Sequence, residues 1–213
     1  MGKYNKGILG AFSGKVGSVV GASWRGQDIM RSLPRKSNRE ATVSQMMQRE
    51  KFTEATAFLQ PYQPLLRKYF GSGNGKTTRR NQALSYHMKE ALTFVDPNWV
   101  WDFQKVQISR GDLLGLEQFA GTGGVAQSID FTWQDNSSQG EALTTDQVIV
   151  AIYEATTKTG SYFTNVALRG DGTATITLPA FLSGLTVQVW VTVVSNDDKR
   201  YATSQFLGNI TLT

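Results

Sequence analysis

Few residues in the chain could carry out chemistry. His87 is the only histidine among 213 residues, so a nucleophile activated by a histidine and a carboxylate would have to use it. It stands in LSYHMKEAL beside Leu84, Met88 and Leu92 at helical spacing, where a packed imidazole is expected rather than a general base. The loop FGSGNGKTT, residues 70–78, invites a phosphate-binding reading, but a P-loop needs glycine five residues before Gly75 and the chain has Phe70 there. The segment before it also reads as helix, where that motif requires a strand. Asp197 and Asp198 fall among turn residues, where Asp is favoured for its local backbone hydrogen bonds, so the pair points neither to glycoside hydrolysis nor to a metal. With no cysteine and one histidine, disulfides are excluded and a zinc site is not expected. Nucleophile, base and orienting group do not come together. No enzyme activity, cofactor or small-molecule substrate is expected.

Charge is more informative than chemistry. Residues 1–90 carry 16 Lys or Arg against 5 Asp or Glu, a net +11, whereas residues 91–213 carry 6 against 12, a net −6. Opposite fields of this kind favour head-to-tail association or a basic surface facing an acidic partner such as nucleic acid. Arg25, Arg31, Arg35, Lys36 and Arg39 follow Trp24, and Lys76, Arg79 and Arg80 follow Tyr69 and Phe70. These are the candidate contacts to nucleic acid or another acidic partner, since cations can grip phosphates while rings stack on bases. No named nucleic-acid-binding motif is spelled by them.

The most unusual stretch is GILGAFSGKVGSVVGASWRG, residues 7–26, with six glycines in twenty positions. Gly7, Gly10, Gly14, Gly17 and Gly21 would align along one side of a helix, but five helical glycines cost about 0.8–1 kcal/mol each relative to alanine, roughly 4–5 kcal/mol together. Extended structure with sharp turns suits the segment better. Ser13-Gly14-Lys15 is expected as a turn, and Ser18–Trp24 with Asp28–Leu33 as a hairpin around Arg25-Gly26-Gln27. Such an apolar two-stranded arm is marginal alone in water, so it is expected to dock on the rest of the chain or on another subunit. The expected assembly residues are Gly7, Gly10, Phe12, Gly14, Gly17, Val20, Gly21 and Trp24. Lys3 and Lys6 precede apolar residues as in a secretion signal, yet Lys15 and the glycines interrupt any hydrophobic region, and no signal peptide is identified. No run approaches the roughly 20 apolar residues of a membrane span.

Beyond Pro34 the chain reads as helical, with Thr42 or Ser37 as cap. Met47, Phe52, Ala55, Phe58 and Leu59 share one face of a helix over 42–59, and further helices are expected at Gln63–Tyr69 and over 78–92. From Trp99 onward the pattern changes. VWDFQKVQISRG, SIDFTWQD, QVIVAIYEA, GSYFTNVALR, TATITLPA, TVQVWVTVVSN and ATSQFLGNITL are strand-like, with turn residues between them. In Thr186–Thr192 the alternation is clear: Val187, Val189 and Val191 point one way, and Gln188, Trp190 and Thr192 the other. GTGGVAQS, residues 121–128, reads as a loop. The expected fold is α+β: a β-hairpin arm and short helices, then an antiparallel β-sandwich of the immunoglobulin or fibronectin III class. The expected division is a basic N-terminal region over 1–100, with the arm at 1–35 and helices at 37–93, and a sandwich over 101–213.

GILGAFSGKVGSVVGASWRGQDIMRSLPRKS, TVSQMMQREKFTEATAFLQP, NQALSYHMKEAL, KVQISRGDL and SNDDKRYATSQFLGNITL together resemble a family of uncharacterised proteins found widely in Bacteroidota, catalogued as a domain of unknown function. The resemblance covers nearly the whole chain and supplies no catalytic or binding residues. It implies that the glycine-rich N-terminal signature, helical middle and β-rich C-terminal domain travel as one unit. The expected role is a structural, self-assembling homo-oligomer, a phage virion component or filament subunit joined through the arm. It would be made in the cytoplasm and end in a virion or extracellular assembly. A nucleic-acid-associated protein and a ligand- or protein-binding sandwich are the alternatives.

Overall fold

The computed structural model describes residues 3–4, 10, 12–24, 27–34, 39–73, 77–125 and 127–212. The chain divides into two compact units, Met1–Met46 and Met47–Thr213. In the first, β1 (Lys3–Tyr4), β2 (Phe12–Val16), β3 (Val19–Trp24) and β4 (Gln27–Ser32) pair in sequence order as an antiparallel meander. The expected turn at Ser13-Gly14-Lys15 lies inside β2 instead, and the chain reverses about three residues later, at Gly17 with φ +58° and Ser18, between the paired Val16 and Val19. Gly17 can hold that left-handed φ without cost, and the shift keeps Lys15 opposite Val20 in the ladder.

Helix α1 (Val43–Leu59) starts on a reciprocal cap. Gln45 N–H donates to Thr42 Oγ1 at 3.3 Å and Thr42 N–H to Gln45 Oε1 at 3.2 Å, which satisfies two of the amide groups a helix start leaves without partners. Pro61 follows the helix, and α2 (Gln63–Tyr69) and α3 (Arg79–Glu90) complete the helical layer. Thr78 caps α3 by accepting from Asn81 N–H. Residues Leu92–Val95 (β5) and Asn98–Trp101 (β6) form a hairpin that sequence reading did not anticipate.

The remaining strands are β7 (Glu117–Gly123), β8 (Ser128–Gln134), β9 (Gln147–Glu154), β10 (Thr159–Leu168), β11 (Thr173–Thr177), β12 (Thr186–Val194) and β13 (Gln205–Thr211). They make a three-stranded sheet, β11-β8-β7, and a four-stranded sheet, β10-β9-β12-β13, all antiparallel. Seven strands divided in this order across two facing sheets are a β-sandwich of the fibronectin III type. Gly121–Gly123, expected in a loop, belong to β7. By contrast, VWDFQKVQISRG is strand only at Val100 and Trp101. Beyond them it is an irregular crossing whose amides bond to side chains and other loops: Gln107 N–H to His87 Nε2, Ile108 N–H to Ser204 Oγ, and Arg110 N–H to the Tyr69 carbonyl. With Val106 and Ile108 buried, its apolar content reflects burial rather than a ladder.

The four-stranded sheet is apolar on both faces. Val148, Val150 and Ile152 of β9 and Val187, Val189, Val191 and Val193 of β12 meet Ile129, Phe131 and Trp133 of the other sheet. Their alternates Ile149, Ala151, Tyr153, Trp190 and Val194 pack instead against Phe58, Leu59, Tyr62, Leu65 and Leu66. Gln188 and Thr192, placed on a polar face by their alternation with valine, are buried there too. Phe58 stacks on Trp101 with centroids 4.1 Å apart and meets the edge of Tyr153 at 4.6 Å. Gly160 makes the close approach of this layer possible, since a Cβ there would lie 2.6 Å from Tyr62 Oη. The helices thus share a core with the sandwich. This is why the division falls at Met46/Met47 rather than near residue 100, where the composition changes.

One end of the sandwich is tied by a buried cation. Arg169, with no exposed surface, donates from Nε to Asp146 Oδ2 (3.1 Å), from Nη1 to Asn136 Oδ1 (2.6 Å) and the Gly115 carbonyl (3.0 Å), and from Nη2 to the Leu114 carbonyl (2.7 Å). Trp133 Nε1 donates to the carbonyl of Arg169 itself at 2.7 Å. A charge this deep is tolerated because its donors are met in planar, charge-assisted geometry.

Two outcomes follow from the shared core. Trp190→Ala, which empties the fully buried site between β12 and the helices, is expected to cost about 3–5 kcal/mol in urea unfolding and to leave a single transition; separate transitions for helices and sandwich would contradict a common core. His87 is also buried. Its Nδ1 lies 2.7 Å from the Ala83 carbonyl and its Nε2 accepts from Gln107 N–H, so the neutral ring donates at one nitrogen and accepts at the other. Burial lowers its pKa from 6.5 to about 4. The unfolded chain therefore binds the proton first, and stability present above pH 6.5 is lost as pH falls toward 4. The Asp102, Asp197 and Asp198 carboxyls are held below their ordinary range and that of Glu154 lies at about 2, so their losses come at lower pH. Between pH 7 and 5 the wild type is expected to lose about 2 kcal/mol; a His87→Gln variant showing the same loss would contradict this assignment.

Candidate functional site

Among the described residues of the first unit, the N-terminal sheet is a single layer. Cross-strand pairing puts Phe12, Gly14, Val16, Val19, Gly21 and Met30 on one face and Lys15, Val20, Ala22, Trp24, Ile29 and Arg31 on the other. Gly21 is the one buried residue in β2–β4. A Cβ on it would stand 2.8 Å from two carbons of the Phe12 ring, so Phe12 lies flat across the position that Gly21 leaves empty. Large apolar side chains are exposed on both faces: Val16 (47%) and Met30 (70%) on one, Trp24 (56%) and Ile29 (39%) on the other. Folded domains bury such side chains between two layers, and the described residues of this unit supply one.

Of the other expected assembly positions, Gly10 is half-buried in a bend, while Gly7 lies outside the described residues. Arg25, Arg35, Lys36 and Lys76 lie outside them as well. Arg31 shares its face with Lys15, and Arg39 precedes α1 in the chain. Arg79 is occupied: its guanidinium donates to the Lys68 carbonyl and lies over the Tyr201 ring at 5.5 Å, fastening α3 to the β12–β13 loop. Arg67, Arg79 and Arg80 line one surface cavity of 400 Å³. The basic positions therefore come together in part.

The groups that could have done chemistry hold the fold. His87 has both ring nitrogens engaged and packs beside Phe70, Tyr86 and Trp101. Asp197 accepts from Ser195 Oγ (2.6 Å) and Lys199 N–H (3.2 Å). Asp198, at φ +59°, leaves that turn to accept from Tyr69 Oη at 2.6 Å and pair with Lys68 at 2.8 Å. The Lys68 hydrogen bond, then that of Tyr69, keeps its carboxyl below the ordinary carboxylate range. Among the described residues no three His, Cys, Asp or Glu are placed to hold a metal ion, and no helix is long and apolar enough to cross a membrane.

Sequence reading missed one surface feature, a groove between α1 and α3. Phe52 keeps the helical phase of Ala55 and Leu59, yet its ring is 51% exposed, because the groove beneath it, lined also by Leu84 and Met88, is open. Nothing in the apolar spacing distinguishes an uncovered position from a covered one.

Comparison with curated proteins gives no match. Among solved structures, the FN1–FN3 domains of chicken CNTN1 are similar over 49% of this chain at 16% identity and a TM-score of 0.38, and this chain spans 35% of their length. The fn3 domain of human collagen alpha-1(XX) is similar over 46% of this chain and 85% of its own, at 11% identity and a TM-score of 0.34. The sandwich class rests on the strand order itself. Residues 11–208 match a family described as a family of unknown function (DUF6266), and the chain belongs to that family.

Proposed function

We propose that the protein is a non-catalytic structural subunit, a component of a virion or filament, that self-assembles through its N-terminal sheet. The observation carrying this reading is the single-layer arm with Trp24, Ile29, Val16 and Met30 exposed on its two faces. Full burial of such a side chain is worth about 1.5–3 kcal/mol, and a second layer supplied by another copy recovers the part these half-exposed ones forgo. The opposite net charges of residues 1–90 and 91–213 support a copy of the same chain as the partner, because head-to-tail contact brings unlike fields together.

Nucleic acid is the second reading, supported by the surface cavity that Arg67 and Arg80 line. Binding through these cations would weaken steeply with added salt.

Size-exclusion chromatography with light scattering, followed by electron microscopy of the peak, separates the outcomes. The full chain is expected to form oligomers or polymers that persist in moderate salt, and Trp24→Ser with Met30→Ser is expected to raise the concentration for half-assembly about tenfold or more. A full chain that stays monomeric at high concentration, or assembly indifferent to both these substitutions and deletion of residues 1–33, would overturn the reading.

A further inference from the structure

The α1–α3 groove has a volume of 590 Å³, with Phe52, Leu84 and Met88 as its apolar lining, and the charged residues around it are Lys51, Arg80 and Lys89. None of its lining residues is acidic. A trough with an apolar floor, whose charged lining residues are all cations beside the neutral Gln48, Asn81 and Ser85, accommodates large aliphatic side chains presented among carboxylates.

The chain carries that chemistry at one end of its own sandwich. Leu114, Leu143 and Leu168 are 40%, 53% and 42% exposed, and all three are fixed by the buried Arg169 network. The Leu114 carbonyl accepts from Arg169 Nη2, Leu143 N–H donates to the Asp146 carboxylate that pairs with Arg169, and Leu168 immediately precedes it. Leu168 N–H is further held by Asp171 at 2.8 Å. Asp112 and Glu141 line the cavity beside Leu114 and Asp171 stands at Leu168, with Arg200 paired to Glu141 as the one cation lining that cavity. Carboxylates therefore outnumber cations. A guanidinium hydrogen-bonded through all three of its nitrogens holds the backbone beside these three exposed leucines, which lowers the entropy lost when they are captured.

We infer that the leucine-bearing acidic end of one copy seats in the α1–α3 groove of the next. The contact joins two different surfaces, so it propagates head to tail and closes into a ring or continues as a filament according to the rotation between copies. This inference rests on the self-assembly reading but uses a surface separate from the arm.

Charge reversal in the full-length protein tests it. Arg80→Glu with Lys89→Glu makes the groove rim acidic, and Asp112→Lys with Glu141→Lys makes the end basic. Each double variant is expected to melt as a folded protein and to need about tenfold or more higher concentration to assemble in light scattering, because like charges now meet. Mixed one to one, they are expected to regain assembly as an alternating copolymer, since each groove then finds an end of opposite sign. If both variants assemble like the wild type, the groove–end contact is overturned while assembly through the arm stands. If each is folded and impaired but the mixture stays so, the two surfaces are not partners and the inference is overturned. A wild type that remains monomeric overturns this inference together with the reading beneath it.

Discussion

Two neighbouring strands, β9 and β12, carry apolar side chains on both faces, and water has to be kept from each side. The face toward the second sheet is covered by the sandwich itself. The opposite face, with Ile149, Ala151, Tyr153, Trp190 and Val194, would be open to solvent if the sheets stood alone. At about 1.5–3 kcal/mol for each large side chain, exposure of that face would cost on the order of 10 kcal/mol, comparable with the whole stability of an ordinary domain. The helical layer is therefore a structural requirement of the sheet. Its tight approach explains details as small as Gly160 beneath Tyr62 and as large as the aromatic cluster centred on Phe58.

Polar groups along the seam are spent on the same task. His87 joins α3 to the crossing segment, Ser109 donates to Thr192 and the Ala202 carbonyl, and Asp198 reaches from the β12–β13 turn to Tyr69 and Lys68. These residue types resemble catalytic equipment in a sequence. In the fold each has its partners within the protein, and what is left facing solvent includes an arm with apolar side chains on both faces, a groove whose charged lining is cationic, and an end bearing leucines beside carboxylates.

Much of this was legible in the sequence because strands and helices announce themselves by period. The strands from SIDFTWQD to ATSQFLGNITL and the three helices follow their apolar spacing, and the first helix starts at the expected cap Thr42. QVIVAIYEA reads as a strand, and the structure buries it on both faces, whereas Gln188 and Thr192 make β12 look half-solvated although both are buried. The crossing segment from Asp102 to Gly111 misleads for a related reason: burial selects Val106 and Ile108 whether or not a neighbouring strand completes a ladder. In the arm, Gly14 and Gly17 are equally suited to a turn by residue type, and only the pairing of Val16 with Val19 decides between them. The groove was invisible, since it consists of space beside Phe52 that no other element fills.

The outer face of β9 and β12 makes the sandwich dependent on its helices. A direct measurement is the ¹H–¹⁵N correlation spectrum of residues 101–213 alone, compared with that of residues 47–213. The shorter fragment is expected to give the broad, poorly dispersed amide signals of an aggregating or loosely packed chain, and the longer one a dispersed spectrum with a single cooperative melt. A well-dispersed, cooperatively melting fragment 101–213 would contradict the shared core and restore a domain boundary near residue 100.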